Sequence, residues 1–185
     1  VCVVDNINGK WQIAGSQSIL GAGVEKVIFK DLNNDGTNEI LIGWNVFGTA
    51  QKTLCVYSYT FDTVVCLLSE NYTEFITCDL DDDFTNDLLI INLDTTQQTA
   101  NASYFNISEN GITEIGNCEL NPNVTGYFPP VLTKLTSGKF CVYLESYKGA
   151  GVTTGIIYFA DGVLKNPLYN KENATILLVV GFQSR

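Results

Sequence analysis

The chain has 185 residues, is 45% apolar and carries a formal charge of −10. That length suits one domain, and the apolar share is ample for a core, which excludes a disordered chain. The ten Lys and Arg residues are scattered singly, which argues against a nucleic-acid surface, and the absence of His removes Ser-His and Cys-His catalytic pairs and the commonest zinc ligand.

No apolar run reaches the roughly 18 residues of a membrane-spanning helix. The sequence contains no Met and reads as a trimmed product or fragment, so the lack of a signal peptide carries no information.

In chain order, VCVVDNINGKWQIAG reads as a β-hairpin turning at Asn8-Gly9, a pair that tolerates the positive φ of a tight turn. KVIFK is a strand. It runs into the acidic loop DLNNDGTNE, from Asp31 to Glu39, and ILIGW follows as the next strand. LCVYSYTFDTVVCLL is a second hairpin. EFITC, the loop DLDDDFTND from Asp79 to Asp87, and LLIIN then repeat the strand–loop–strand pattern without a gap. SYFNISENGITEIGN is a third hairpin, turning at Asn110-Gly111. TGYFPP is expected as an exposed connection, with Tyr127 as a contact candidate. PVLTKLTSGKFCVYLES is a third strand–loop–strand copy. Aligned on Gly138, it places Thr133, Leu135, Ser137 and Cys141 where the first copy has acidic and amide residues. YKGAGVTTG is a Gly-rich loop that lacks the ending of a phosphate loop. GIIYFADGVLKNP is a hairpin at Asp161-Gly162, and ATILLVVGF is a final apolar strand.

The unit is four strands recurring about every fifty residues, with alternating side chains and no convincing helical period. The expected fold is all-β: four-stranded antiparallel repeats that form β-propeller blades, as a partial propeller or arc. Residues 1–20 would end a preceding blade. Blades would occupy 23–70, 71–120 and 127–170, and 174–185 would start another.

The acidic loops suggest a metal. In the first, Asp31, Asn33, Asp35, Thr37 and Glu39 occupy alternate positions; in the second, Asp79, Asp81, Asp83, Thr85 and Asp87 do. Oxygen donors at positions 1, 3, 5 and 9, with a carbonyl at 7, can wrap calcium. Gly36 permits the sharp reversal at position 6, where the second loop has Phe84 at a local backbone cost. An EF-hand would need an acid at position 12 and a following helix, but Ile42 and Ile90 stand there in β-rich runs. The open alternatives are structural calcium, acidic turns without metal, and a metal that touches a ligand.

D-x-[DN]-x-D-G-x-x-[DE] before a short apolar strand, in four-stranded units, resembles the FG-GAP and VCBS-type repeats of integrin-like β-propellers. The layout also resembles propeller lipoproteins of Gram-positive gut anaerobes. The resemblance implies calcium in blade loops, export to the cell surface or beyond, and a surface used for binding.

The function expected is a non-catalytic extracellular module that binds a protein or a glycan, with one or two structural calcium ions. The alternatives are a carbohydrate-active enzyme, with residues such as Glu74 and Glu145 as the remaining carboxylates, and a scaffold segment that pairs through open sheet edges. Trp44 is expected in the core and Trp11 is a weaker contact candidate. The six cysteines are expected as buried thiols, with Cys55 and Cys66 the best pair should a disulfide form.

Overall fold

A computed structural model describes residues 2–49, 51–60, 63–108 and 111–167. Asn110 of the third expected turn and the strand expected over 174–185 lie outside the described residues.

The chain opens with a hairpin of β1 (Cys2–Ile7) and β2 (Lys10–Ser16). Its two-residue turn, Asn8-Gly9, has φ of 54° and 81°, the doubly positive pair that matches strand twist. The first four-stranded sheet is β3 (Ala22–Lys30), β4 (Glu39–Val46), β5 (Lys52–Thr60) and β6 (Thr63–Tyr72). The second is β7 (Glu74–Cys78), β8 (Asp87–Asp94), β9 (Thr99–Ser108) and β10 (Gly111–Glu119). Each is an antiparallel meander in chain order.

The third sheet departs from this plan at its outer strand. β11 (Gly126–Tyr127) and β12 (Val131–Lys134) both pair with β13 (Phe140–Lys148), followed by β14 (Gly151–Ala160) and β15 (Val163–Lys165). Pro129 and Pro130 separate β11 from β12, because a proline has no N–H to give the ladder. Within the described residues the fold is all-β: a two-stranded hairpin and three consecutive antiparallel sheets, compatible with a partial propeller or arc.

Three apolar clusters lie between successive layers. Trp44 and Tyr57 join the hairpin to the first sheet. Leu41, Leu54, Phe75 and Ile107 join the first to the second. Leu89, Tyr104, Val142 and Ile157 join the second to the third. The central strands β4 and β8 are buried nearly end to end, as expected for strands covered on both faces. Close approach has sequence consequences. A Cβ on Gly43 would collide with the Tyr72 hydroxyl, which donates to Glu25 at 2.7 Å.

Four expectations are corrected here. YKGAGVTTG is not a loop: Tyr147 and Lys148 end β13, Gly151 begins β14, and only residues 149–150 turn between them. Cys2 and Cys66 are exposed, not buried. Tyr127 is not on an exposed connection. It is 7% exposed, and its hydroxyl donates to the Asn121 carbonyl at 2.7 Å. The third copy is not an open loop of the same length. Lys134 pairs directly with Phe140, and residues 135–139 close as a tight turn, with the Leu135 N–H donating to the Lys139 carbonyl at 2.9 Å. Gly138 matches Gly36 in sequence, but the flanking strands pair at Lys134–Phe140 here and at Lys30–Glu39 in the first sheet. Trp44 is buried in the core as expected, whereas Trp11 is exposed. All six cysteines are free. Cys55 lies opposite Ser69, and Cys66 opposite Tyr57 across a register shift in the β5–β6 ladder.

Candidate metal centre

The two acidic loops join β3 to β4 and β7 to β8, and they share one internal wiring. The position-1 carboxylate receives the N–H of position 6: Gly36 N to Asp31 Oδ2 and Phe84 N to Asp79 Oδ2, at 3.0 and 3.1 Å. The position-5 carboxylate receives the N–H of position 7: Thr37 N to Asp35 Oδ1 and Thr85 N to Asp83 Oδ1, at 2.6 and 2.7 Å. The backbone is left-handed at positions 4 and 6 of both. Asn34 and Asp82 have φ of 57° and 62°, and Gly36 and Phe84 have 84° and 68°. Phe84 thus adopts a conformation that suits glycine, with its ring in solvent.

Position 9 has a different role. Each of its residues is the first of a strand, and the pleat points its carboxylate under the loop. Glu39 is 1% exposed; its Oε2 accepts the Leu32 N–H at 2.9 Å, and its Oε1 accepts from Asn33 Nδ2 at 3.5 Å. Asp87 is 0% exposed and one methylene shorter. Tyr104 fills the gap. Its hydroxyl accepts the Leu80 N–H at 2.8 Å and donates to Asp87 Oδ2 at 2.5 Å. Asn106 Nδ2 donates to Asp87 Oδ1 at 3.0 Å. At the matching place in the first sheet, opposite Leu41, stands Val56, where no relay is needed.

Burial dominates the electrostatics of these loops, and neighbouring carboxylates add to it. Burial pushes the Glu39 carboxyl up, and Asp35 and Asp31 add to the shift. Burial raises Asp81, with Asp83 and Asp79 adding to it. Asp87 is pushed up to about 7, chiefly by burial; the Tyr104 and Asn106 hydrogen bonds pull the other way, and Asp81 and Asp83 add to the rise.

The loops also touch each other. Asn34 Nδ2 donates to the Phe84 carbonyl at 3.0 Å, and Asn86 Nδ2 to the Asp31 carbonyl at 3.3 Å. These bonds tie the first two sheets together at the loop end.

Asp79, Asp81 and Asp83 converge, each offering an oxygen within 4.8 Å of the others. Asp79 Oδ1 and Asp81 Oδ1 are buried without hydrogen-bond partners, and so is Asp31 Oδ1 in the first loop. Buried carboxylate oxygens are costly unless a donor or cation meets them. The donor set is all oxygen, which fits a hard cation such as calcium. In the first loop, Asn33 Oδ1 accepts the Asp35 N–H and Asn33 Nδ2 donates to Asp35 Oδ2, so those side chains are engaged with each other. The second loop therefore has the more open set, despite lacking Gly. Thr37 and Thr85 enter these bonds through their N–H groups, and Thr85 also through its hydroxyl, which donates to Asp83 Oδ1.

Tyr104, Asn106, Asn34 and Asn86 were not reached by reading the loops alone. A register comparison of the two repeats carries the signal: Val56 becomes Tyr104 where Glu39 becomes Asp87. Glu74 and Glu145 are half-buried on different sheets. Burial raises Glu74, opposed by Lys52 and Lys26, and Glu145 Oε1 accepts from the Tyr143 hydroxyl at 3.0 Å.

No family model and no curated protein matches the chain. Solved structures do. The rhamnogalacturonan lyase YesW aligns with a TM-score of 0.64 at 14% identity, over 88% of this chain and 41% of that one. A Bacillus licheniformis rhamnogalacturonan lyase, PL11, aligns at 0.63 and 14% identity, over 86% and 40%. The exotype rhamnogalacturonan lyase YesX aligns at 0.60 and 13% identity, over 78% and 32%. This chain spans about a third to two fifths of their length, and at such identity the likeness is one of fold alone.

Proposed function

We propose that this chain is a blade segment of an exported β-propeller of the FG-GAP and VCBS kind, in which calcium in the acidic loops stiffens a non-catalytic binding module. One observation carries the reading: Asp79, Asp81 and Asp83 converge while two of their oxygens are buried without a partner. The Asp79, Asp81 and Asp83 carboxylates would hold the ion in the second loop, and Asp31, Asn33 and Asp35 in the first. Bound calcium would offset the repulsion among these groups and pin strand entry to strand exit. Asp87, Tyr104 and Glu39 hold the loop backbone from beneath and keep the outer carboxylates in place.

Thermal melts in millimolar calcium and in excess EGTA test this, with Asp83→Ala and Asp35→Ala alongside. A calcium-dependent rise in midpoint that Asp83→Ala and Asp35→Ala each reduce supports the reading, and equal melts in both buffers contradict it.

A second reading, a carbohydrate-active enzyme on the same scaffold, is favoured by the rhamnogalacturonan lyase neighbours. Cleavage of rhamnogalacturonan by the purified chain, lost on changing one carboxylate outside the loops, would establish it over the first.

A further inference from the structure

A cavity of about 250 Å³ opens on the third sheet, near the β13–β14 connection and away from the strand ends that carry the acidic loops. Its floor is the β13–β14 ladder, where Leu144 lies opposite Gly155 and Ser146 opposite Thr153. Gly155 opens the floor. A Cβ there would meet only the Leu144 carbonyl oxygen, at an ordinary 3.7 Å. Backbone geometry therefore does not demand glycine at this position.

The polar groups are built in. The Ser146 and Thr153 hydroxyls bond each other at 2.7 Å, which leaves that pair with one further O–H and spare lone pairs. Asn166 is 6% exposed. Its Nδ2 donates to the Glu119 carbonyl at 3.3 Å, which fixes the amide, and its Oδ1 is a buried acceptor with no partner. The apolar walls are Leu120, Leu144 and the ring of Tyr127, whose hydroxyl is held by the Asn121 carbonyl. Among the described residues, no carboxylate or cationic side chain lines the space.

The geometry points to a binding site for a neutral, hydroxylated ring of monosaccharide size. At about 30 Å³ per water, the space holds roughly eight waters or one such ring. A sugar has a C–H face for Leu and Tyr, hydroxyl donors for Asn166 Oδ1, and hydroxyls that both give to and take from the Ser146–Thr153 pair. The uncharged lining and the net charge of −10 both disfavour a uronate. This inference deepens the binding-module reading and rests on it for the role of ligand capture; the cavity stands on its own geometry.

The test is an NMR titration of the isotope-labelled whole chain in calcium. The probes are glucose, galactose and rhamnose to tens of millimolar, their methyl glycosides, and galacturonate as the charged control. The expected result is saturable shifts at the Asn166 side-chain amide and at 153–155 for at least one neutral sugar and none for galacturonate. Gly155→Val fills the floor and keeps every polar group; it should weaken binding at least ~10-fold, as should Asn166→Leu. Ser146→Ala serves as a further variant should Asn166→Leu fail to fold. Methyl glycosides that bind as well as free sugars assign the end of a glycan chain, and binding by free sugars alone assigns a small ligand. The absence of saturable shifts here for every neutral sugar, or shifts unchanged by Gly155→Val, overturns the site. Ligand binding that maps elsewhere overturns this pocket and leaves the module reading; binding here with cleavage of a glycan does the reverse.

Discussion

Tyr104→Phe isolates the least expected part of the second loop. The ring stays, so packing against Phe159 is kept, and only the hydroxyl is lost. Two bonds go with it: the one from the Leu80 N–H and the one to Asp87. Stranding one buried backbone donor costs about 1–3 kcal/mol, and a hydrogen bond to a charged acceptor contributes about 1.5–3 kcal/mol. Asp87 can recover part of this by taking a proton, since its carboxyl already sits near 7. The expected net loss is about 2–4 kcal/mol, read in urea as a midpoint lower by about 1 M or more. A double-mutant cycle with Asp87→Asn should show a coupling of about 1 kcal/mol or more, because the two residues share one bond. A loss below about 0.5 kcal/mol, or additive effects, would refute the claim that Tyr104 stands in for the methylene that Asp87 lacks relative to Glu39.

Phe84→Gly should raise stability by about 0.5–1 kcal/mol, since a left-handed non-glycine residue costs roughly 1–2 kcal/mol and glycine's unfolded-state entropy returns part of that; an unchanged or lower urea midpoint would contradict it. Gly43→Ala should destabilise by about 1–3 kcal/mol through overpacking against the Tyr72 hydroxyl, as measured by thermal melt, and a neutral effect would mean the sheets can shift there. In EDTA, the melting midpoint should fall as pH rises from 5 to 8. Asp87 holds its proton more tightly in the folded chain, with a pKa of about 7 against the 3.8 of an ordinary Asp, so its contribution is complete below about 4 and lost through 7. Asp87→Asn should flatten that slope, and a slope unaffected by the substitution would assign it to another group.

The strand pattern and the turns at Asn8-Gly9 and Asp161-Gly162 were legible because both depend on neighbours in sequence: side-chain alternation and the need for positive φ. The alternate spacing of the loop acids was legible for the same reason. What position 9 does was not. Counting odd positions treats Glu39 and Asp87 like the other acids, but strand register decides where they point, and the pleat turns them beneath the loop. Tyr104 lies two strands away, so only tertiary pairing brings it to Leu80. The third repeat misled because one glycine anchored an alignment across a shortened turn, while Pro129-Pro130 was the stronger mark of a broken edge strand. Tyr127 reads as surface because it lies two residues before those prolines, yet its strand pairs with β13 and its ring packs in the core.

The most direct test of the central claim is a calorimetric calcium titration of the metal-stripped chain, beside Asp81→Asn and Asp31→Asn. The account predicts saturable calcium binding, with the second-loop site lost in Asp81→Asn and retained in Asp31→Asn. No binding at millimolar calcium, or binding that Asp81→Asn leaves untouched, would contradict it and leave the acidic loops as turns.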